Sequence, residues 1–287
     1  LLTVISPILA VLAGYVSSTV YHFVAQRKQR MLITTMSSTY VNPSVVEELL
    51  LNPEKLKLGG ERRELTVLFS DIEGFTTVSE GMPPEELVDH LNEYLSAMTE
   101  IVFKNNGTLD KFEGDAIMAF WGAPIHQADH ALRACLSALQ MQQKLTSIRS
   151  AWKQQGKPVL NIRIGINTGE MVVGNMGGMG KFDYTVIGDS VNLASRLESA
   201  NKQYGSKIMI SDFTYQHVKE QVLVRELDLI QVKGKTEPVK VWELLGTLDV
   251  PMSNDQKQSL EIYHEGLRLY RERGWQEAIA YFQQAKQ

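Results

Sequence analysis

Val67-Leu68-Phe69-Ser70-Asp71-Ile72-Glu73-Gly74-Phe75-Thr76 begins as an apolar strand and ends on a carboxylate beside a glycine turn. Asp71 is therefore predicted at a strand's exit, where a sheet hands over to a loop. Lys111-Phe112-Glu113-Gly114-Asp115-Ala116-Ile117-Met118-Ala119-Phe120-Trp121 has the same logic in reverse, with Asp115 after a glycine and before an apolar strand. A lone aspartate at a strand end serves equally well as a turn cap. Two of them, brought together by adjacent strands and flanked by glycines that let a ligand approach, make a hard-oxygen site for Mg²⁺. Two metals held by two aspartates suit in-line phosphoryl or nucleotidyl transfer on a nucleoside triphosphate.

Outward from these stretches, residues 63–246 read as one domain of strands and helices. Leu65 to Ile72 is a strand, and Met82-Pro83-Pro84 opens a helix with Leu87, Leu91, Leu95, Met98 and Ile101/Val102 on one stripe. Thr108 to Phe112 and Ala116 to Trp121 form a hairpin around Glu113-Gly114-Asp115, and residues 127–150 a second amphipathic helix. Leu160, Ile162, Ile164 and Ile166 alternate with Asn161, Arg163 and Gly165, the pattern of a strand with one buried face. Gly174 to Gly180 is expected as a loop, Tyr184 to Ile187 as a strand and Asp189 to Asn201 as a helix. Strands at Lys207–Ile210, Val222–Ile230 and Val239–Leu245 follow. The order β-α-β-β-α-β with later additions is the ferredoxin-like pattern, an α+β fold whose helices cover one face of a sheet.

The flanks differ in composition. Residues 1–26 contain no Asp, Glu, Lys or Arg, and are followed by Arg27-Lys28-Gln29-Arg30. That length meets the ~20 apolar residues needed to cross the hydrocarbon core, and the trailing positive charge marks the cytoplasmic side. A transmembrane helix in the cell (inner) membrane is expected, with the rest of the chain cytoplasmic. A signal peptide would carry its charges before the apolar run, and Pro7 and Gly14 sit awkwardly in a soluble core helix. Residues 27–62 form a connector with a short helix opened by Asn42-Pro43, either a signalling element or a plain spacer. Residues 256–287 show the pattern of a helical hairpin resembling a tetratricopeptide repeat. One such unit cannot bury its own face, so it must pack on the preceding domain, on another chain or in a longer array.

The 287 residues carry a net charge of −4, which excludes a global basic field for nucleic acid. The single cysteine, Cys135, excludes an intrachain disulfide. Four further polar positions stand out. Lys111 precedes Asp115 by one strand, Thr185 lies in the strand leading into Ile187-Gly188-Asp189-Ser190, and Asn192 and Arg196 share one helix face. Arginine recognises phosphate oxygens with a planar fork, although an Asn–Arg pair near a helix start is also an ordinary solvated surface. Val232-Lys233-Gly234-Lys235 is either a surface turn or a further cation for a polyphosphate.

The motifs FSDIEGFT, LDKFEGDAIMAFWG, YTVIGDSVNLASRLE and VKGKTEPVKVWEL resemble, in order and spacing, the class III adenylate/guanylate cyclase catalytic domain over roughly residues 59–246. The approach segment YVNPSVVEELLLNPEKLKLGGERRELTVLFSDI resembles the connector of bacterial membrane-bound members, several of which carry a periplasmic sensor of the CHASE2 type before the last membrane helices. This chain would then begin inside the final helix, which agrees with a first residue that is Leu. The resemblance implies that Asp71, Asp115 and the Ile72 carbonyl hold two Mg²⁺ (or Mn²⁺) per site. It implies that Lys111 and Thr185 read the purine, and that Asn192 and Arg196 orient the ribose and offset charge at the α-phosphate. Lys233, or failing it Lys235, would contact the polyphosphate. Guanylate-forming members have Glu at the position of Lys111, so lysine points to ATP as substrate. Threonine at 185 replaces the Asp of many members and is shared with the bicarbonate-responsive subgroup. The metal aspartates come from one protomer of the family's dimer and the other four residues from its partner, so a homodimer with shared sites is expected. The expected reaction is ATP to 3′,5′-cyclic AMP and pyrophosphate. The alternatives are a guanylate cyclase and a catalytically inactive dimerising module that signals through a protein partner of the carboxy-terminal hairpin.

Overall fold

The computed structural model describes Tyr15, Thr19 and residues 59–178, 181–231, 238–250 and 252–285. The expected membrane span at 1–26 and the connector helix lie outside the described residues, apart from Tyr15 and Thr19, which are helical. Among the described residues no helix is long and apolar enough to cross a membrane. The elements below belong to the unit Leu58–Gln287.

In chain order they are β1 (Gly59–Ile72), α1 (Phe75–Glu80), α2 (Pro84–Lys104), β2 (Thr108–Glu113), β3 (Ala116–Trp121), α3 (His130–Gln154), β4 (Ile162–Gly178), β5 (Lys181–Ile187), α4 (Asp189–Tyr204), β6 (Ile208–Ser211), α5 (Asp212–Val218), β7 (Val222–Ile230), β8 (Val239–Thr247), α6 (Asn254–Arg271) and α7 (Trp275–Ala285). The strands form one sheet in the order β2-β3-β1-β4-β6-β8-β7, with β5 paired to β4. The first four, β2-β3-β1-β4, are antiparallel and give the expected ferredoxin-like arrangement; β6 joins β4 in parallel across the α4 crossover.

The alternation along β1 separates two cores. Leu68 and Ile72 face α2 and α3 in the larger cluster, while Leu65 and Val67 face the opposite side with Met171, Val173 and Ala194. The sheet therefore has helices on both faces, not on one. Gly165 is what admits the second layer. A Cβ there would lie 2.2 Å from the Ala194 carbonyl oxygen and 2.2 Å from the Glu198 nitrogen, so α4 rests its backbone directly on β4.

Helix α2 starts with Pro84 at its first position and carries Glu85 and Glu86 in the first turn and Lys104 in the last, each favourable to the helix dipole. Its buried stripe is His90, Tyr94, Met98, Ile101 and Val102, rotated from the Leu87-Leu91-Leu95 line that hydrophobicity suggests. The polar tips contribute to this: His90 Nε2 meets the Pro158 carbonyl at 3.0 Å and the Tyr94 hydroxyl meets Ser70 Oγ at 3.4 Å, so each ring buries its apolar body while one polar atom keeps a partner.

Two expectations fail locally. Gly59 to Arg62, assigned to the connector, belong to β1, where they pair with Val172 to Asn175; Glu61 and Arg62 gave no apolar signal. Gly174 to Gly178, expected as loop, continue β4 and pair with Lys181 to Thr185. At the carboxyl end α6 and α7 form an antiparallel hairpin, with Gly266 against the Phe282 ring. It meets β7 through Arg225 over the Tyr263 ring and the Arg271–Glu226 ion pair.

Candidate active site

Asp71 is the next-to-last residue of β1, and Asp115 lies in the two-residue turn joining β2 to β3. Gly114 makes that turn with φ of 67°, a conformation that costs a side-chain-bearing residue strain. Because β3 runs antiparallel to β1 with Ser70 opposite Ile117, the turn folds back over the end of β1. The Ile72 N–H then donates to Asp115 Oδ2 at 3.2 Å. The Asp71 carboxyl is pushed up to about 7, first by burial, then by the Asp115 charge and a side-chain hydrogen bond with it, then by Glu198. Arg163, 3.9 Å away, pulls the other way and also holds Glu198 at 3.1 Å. Two carboxyls this close, one retaining its proton to about neutral pH, are only partly offset by Arg163; a hard divalent cation matches that oxygen donor set. Asp71, Asp115 and Ile72 are thus brought together as the sequence suggests.

Lys111 and Thr185 come together through a residue that sequence reasoning missed. Leu109 pairs with Ala119 and Lys111 with Met118, so Asp110 is an extra residue, a β-bulge in β2. The bulge turns Asp110 inward, where its side chain is fully buried. Thr185 Oγ1, from β5, donates to Asp110 Oδ2 at 2.5 Å, and Lys111 Nζ lies 3.4 Å from Asp110 Oδ1. Burial raises the Asp110 carboxyl, and the Thr185 hydrogen bond and the Lys111 charge oppose that rise. The two expected purine readers are thereby fixed to one buried carboxylate. Nothing in Leu109-Asp110-Lys111 as a string distinguishes a bulge from a regular strand.

Asn192 and Arg196 lie one turn apart on α4. Val191, Ala194, Leu197 and Glu198 of that helix are buried, whereas Asn192 is exposed and Arg196 half-buried. Lys233 and its alternative Lys235 lie outside the described residues. Arg163 and Glu198 are the other residues missed; an arginine on the second face of a strand reads as solvated until α4 is known to cover that face. Phe112, Phe182 and Ile187 are apolar yet 44%, 39% and 57% exposed, close in sequence to the Lys111–Thr185 pair.

An α+β sheet with paired carboxylates at the β1 exit and the β2–β3 turn defines a nucleotide-cyclase type of domain, and the comparisons with known proteins agree. Residues 60–246 match the family model of the adenylate and guanylate cyclase catalytic domain, and the chain belongs to that family. It is 40% identical over 187 residues to adenylate cyclase 1 of Rhizobium meliloti (strain 1021), covering 65% of this chain and 28% of that protein, so it spans under a third of that relative's length. Among solved structures, the adenylyl cyclase CyaB from P. aeruginosa is 43% identical with a TM-score of 0.62, covering 68% of this chain and all of that one. The guanylyl cyclase Cya2 is 41% identical, again with a TM-score of 0.62, over 66% of this chain and 95% of that one.

Proposed function

We propose that the chain is an adenylate cyclase, converting ATP to 3′,5′-cyclic AMP and pyrophosphate at two sites shared across a homodimer. The observation that carries this reading is the Asp71–Asp115 pair, in which the raised proton affinity of Asp71 marks a place prepared for divalent cations. Asp71, Asp115 and the Ile72 carbonyl would hold two Mg²⁺ or Mn²⁺. Bound there, the ions lower the proton affinity of an attacking hydroxyl and offset phosphate charge. Lys111 and Thr185, held by Asp110, present one donor cation and one hydroxyl to the purine edge. Lysine at 111 favours adenine, as do the relatives named adenylate cyclase at 40% and 37% identity, while the solved adenylyl and guanylyl cyclases are almost equally similar. Asn192 orients the ribose so that its 3′-hydroxyl faces the α-phosphorus in line. The Arg196 guanidinium offsets the charge that grows on the α-phosphate oxygens, and Lys233 binds the departing pyrophosphate. The exposure of Asn192, one turn from Arg196 on α4, supports their service to the partner's aspartates. The exposed Phe112, Phe182 and Ile187 supply apolar surface for the dimer contact.

The test is product analysis with the whole chain, ATP and GTP supplied separately with Mg²⁺ or Mn²⁺. Cyclic AMP should predominate; predominant cyclic GMP would replace this reading by guanylate cyclase, and no product from either would leave the inactive module. The uncharged residues 1–26 support membrane anchoring with a cytoplasmic catalytic domain and an upstream sensor. Tyr270, Trp275 and Ile279, exposed on the α6–α7 hairpin, support a tetratricopeptide-like dock for a protein partner. Protease protection in sealed vesicles checks the first and pull-down with Trp275→Ala the second.

A further inference from the structure

Far from the aspartates, the amino-terminal half of β1 meets the start of α3 and the short helix α5. One ligand atom from each of Glu64, His130 and His217 lies within 4.8 Å of the other two. His217 Nε2 is already 3.6 Å from Glu64 Oε1. From the geometry we infer that Glu64, His130 and His217 form a second metal site, selective for a borderline transition ion such as Zn²⁺ and independent of the catalytic cations.

A hydrogen-bond relay behind His130 supports this independently of the cluster. Asn167 Nδ2 donates to the Ser190 carbonyl, which fixes Asn167 Oδ1 as an acceptor, and Ser211 donates its only proton to that oxygen at 2.6 Å. The Thr214 hydroxyl, 3.3 Å from Ser211 Oγ, must then be the donor in that pair. It follows in turn that Thr168 donates to Thr214 at 3.1 Å and Thr66 to Thr168 at 2.7 Å. Thr66 Oγ1 has no proton left for His130 Nδ1, 2.7 Å away, so the imidazole must be the donor. His130 is thereby held as the neutral tautomer protonated on Nδ1, with the lone pair on Nε2. This is how proteins prepare a ligating histidine, and removing such support typically weakens metal binding ~10–100-fold. Burial, and after it His217, lowers the proton affinity of His130, which keeps the ring neutral.

Two imidazoles and one carboxylate with room for water is a donor set of zinc and related ions, whereas Mg²⁺ prefers all-oxygen octahedra. Tetrahedral zinc with ligands at about 2.0–2.1 Å spaces them about 3.4 Å apart. Small rotations of the half-exposed Glu64 and His217 around the fixed His130 suffice to reach that spacing. Cys135 does not compete, because its thiol is fully buried.

The whole chain, stripped with chelator and kept in excess Mg²⁺, should take up one Zn²⁺ per chain in a calorimetric titration. His217→Gln and Glu64→Gln should each weaken that binding at least ~10-fold, while Asp71→Ala leaves it unchanged. Loaded with Co²⁺, the parent chain should show visible d–d absorption that disappears in His217→Gln. Both substituted side chains are substantially exposed, 37% for His217 and 54% for Glu64, and circular dichroism melting of the metal-free variants checks that they fold. No zinc uptake, or uptake undiminished in both variants, overturns the site in favour of a plain Glu64–His217 ion pair. Binding lost in Asp71→Ala but kept in His217→Gln overturns it in favour of the aspartates.

Discussion

Strand β1 carries two unlike clusters. Asp71 near its end meets a second carboxylate; Glu64, seven residues earlier, meets two imidazoles. Seven residues of strand span about 23 Å, and an odd interval puts the side chains on opposite faces. Asp71 lies on the α4 side, held by Arg163, and Glu64 on the α3 side with Thr66 and His130. One extended segment can thus serve two chemistries without crosstalk, because pleat and length separate them and donor hardness sorts their ions.

The sharpest way to break the comparison is to remove the carboxylates. Asp71→Ala and Asp115→Ala should each lower cyclic AMP formation by ~10³-fold or more, read as initial rate with Mg-ATP. Arg196→Ala should cost ~10²–10³ in rate, the usual loss when a charge-stabilising donor is deleted. Mixing Arg196→Ala with Asp71→Ala chains should recover activity, since one composite site per mixed dimer would keep all its groups. No recovery in proven mixed dimers would place every group of a site on a single chain.

Gly165→Ala tests the separation itself. The added methyl meets α4 backbone, which cannot rotate aside, so a loss of about 1–3 kcal/mol is expected from thermal melting. Displacing α4 also moves Glu198 and with it the Arg163 bridge to Asp71. Activity should therefore fall with stability, while Zn²⁺ binding at the other end persists.

The smallest effect is in pH. Asp71 has its folded pKa raised from 3.8 to about 7, so the native state holds a proton there that the unfolded chain has released. In chelator, stability should be highest at the acid end of this window and decline as pH rises from about 4 to about 7, then level off. Mg²⁺ should raise the melting temperature above pH 7 and lose that effect in acid, where it must displace the proton. Asp71→Asn should flatten the profile; an unchanged slope would mean that neither burial nor Asp115 raises the proton affinity of Asp71.

The sequence made the strands and the paired aspartates legible because both rest on local pattern: an apolar run of period two, broken by a carboxylate and a glycine. It also placed α4 and the shared face of Asn192 and Arg196. What stayed hidden depended on partners distant in the chain. His90 and Tyr94 look polar until Pro158 and Ser70 are beside them, and Arg163 looks solvated until α4 lies over it. The flat, charged start of β1 becomes strand only because β4 is long enough to pair with it. The zinc cluster draws on residues 64, 130 and 217, a spacing no motif encodes.

The bulge at Asp110 has a consequence for how such a domain can diverge. Deleting that single residue would restore an even register between β2 and β3 while leaving Lys111 and Thr185 chemically intact. Their common anchor would be gone, although Leu109 would still face Ala119 and Lys111 would still face Met118. Under the proposed roles of Lys111 and Thr185, base preference is stored partly as a residue count, so a point substitution is the gentle route to a new nucleotide, and a one-codon deletion removes the anchor outright.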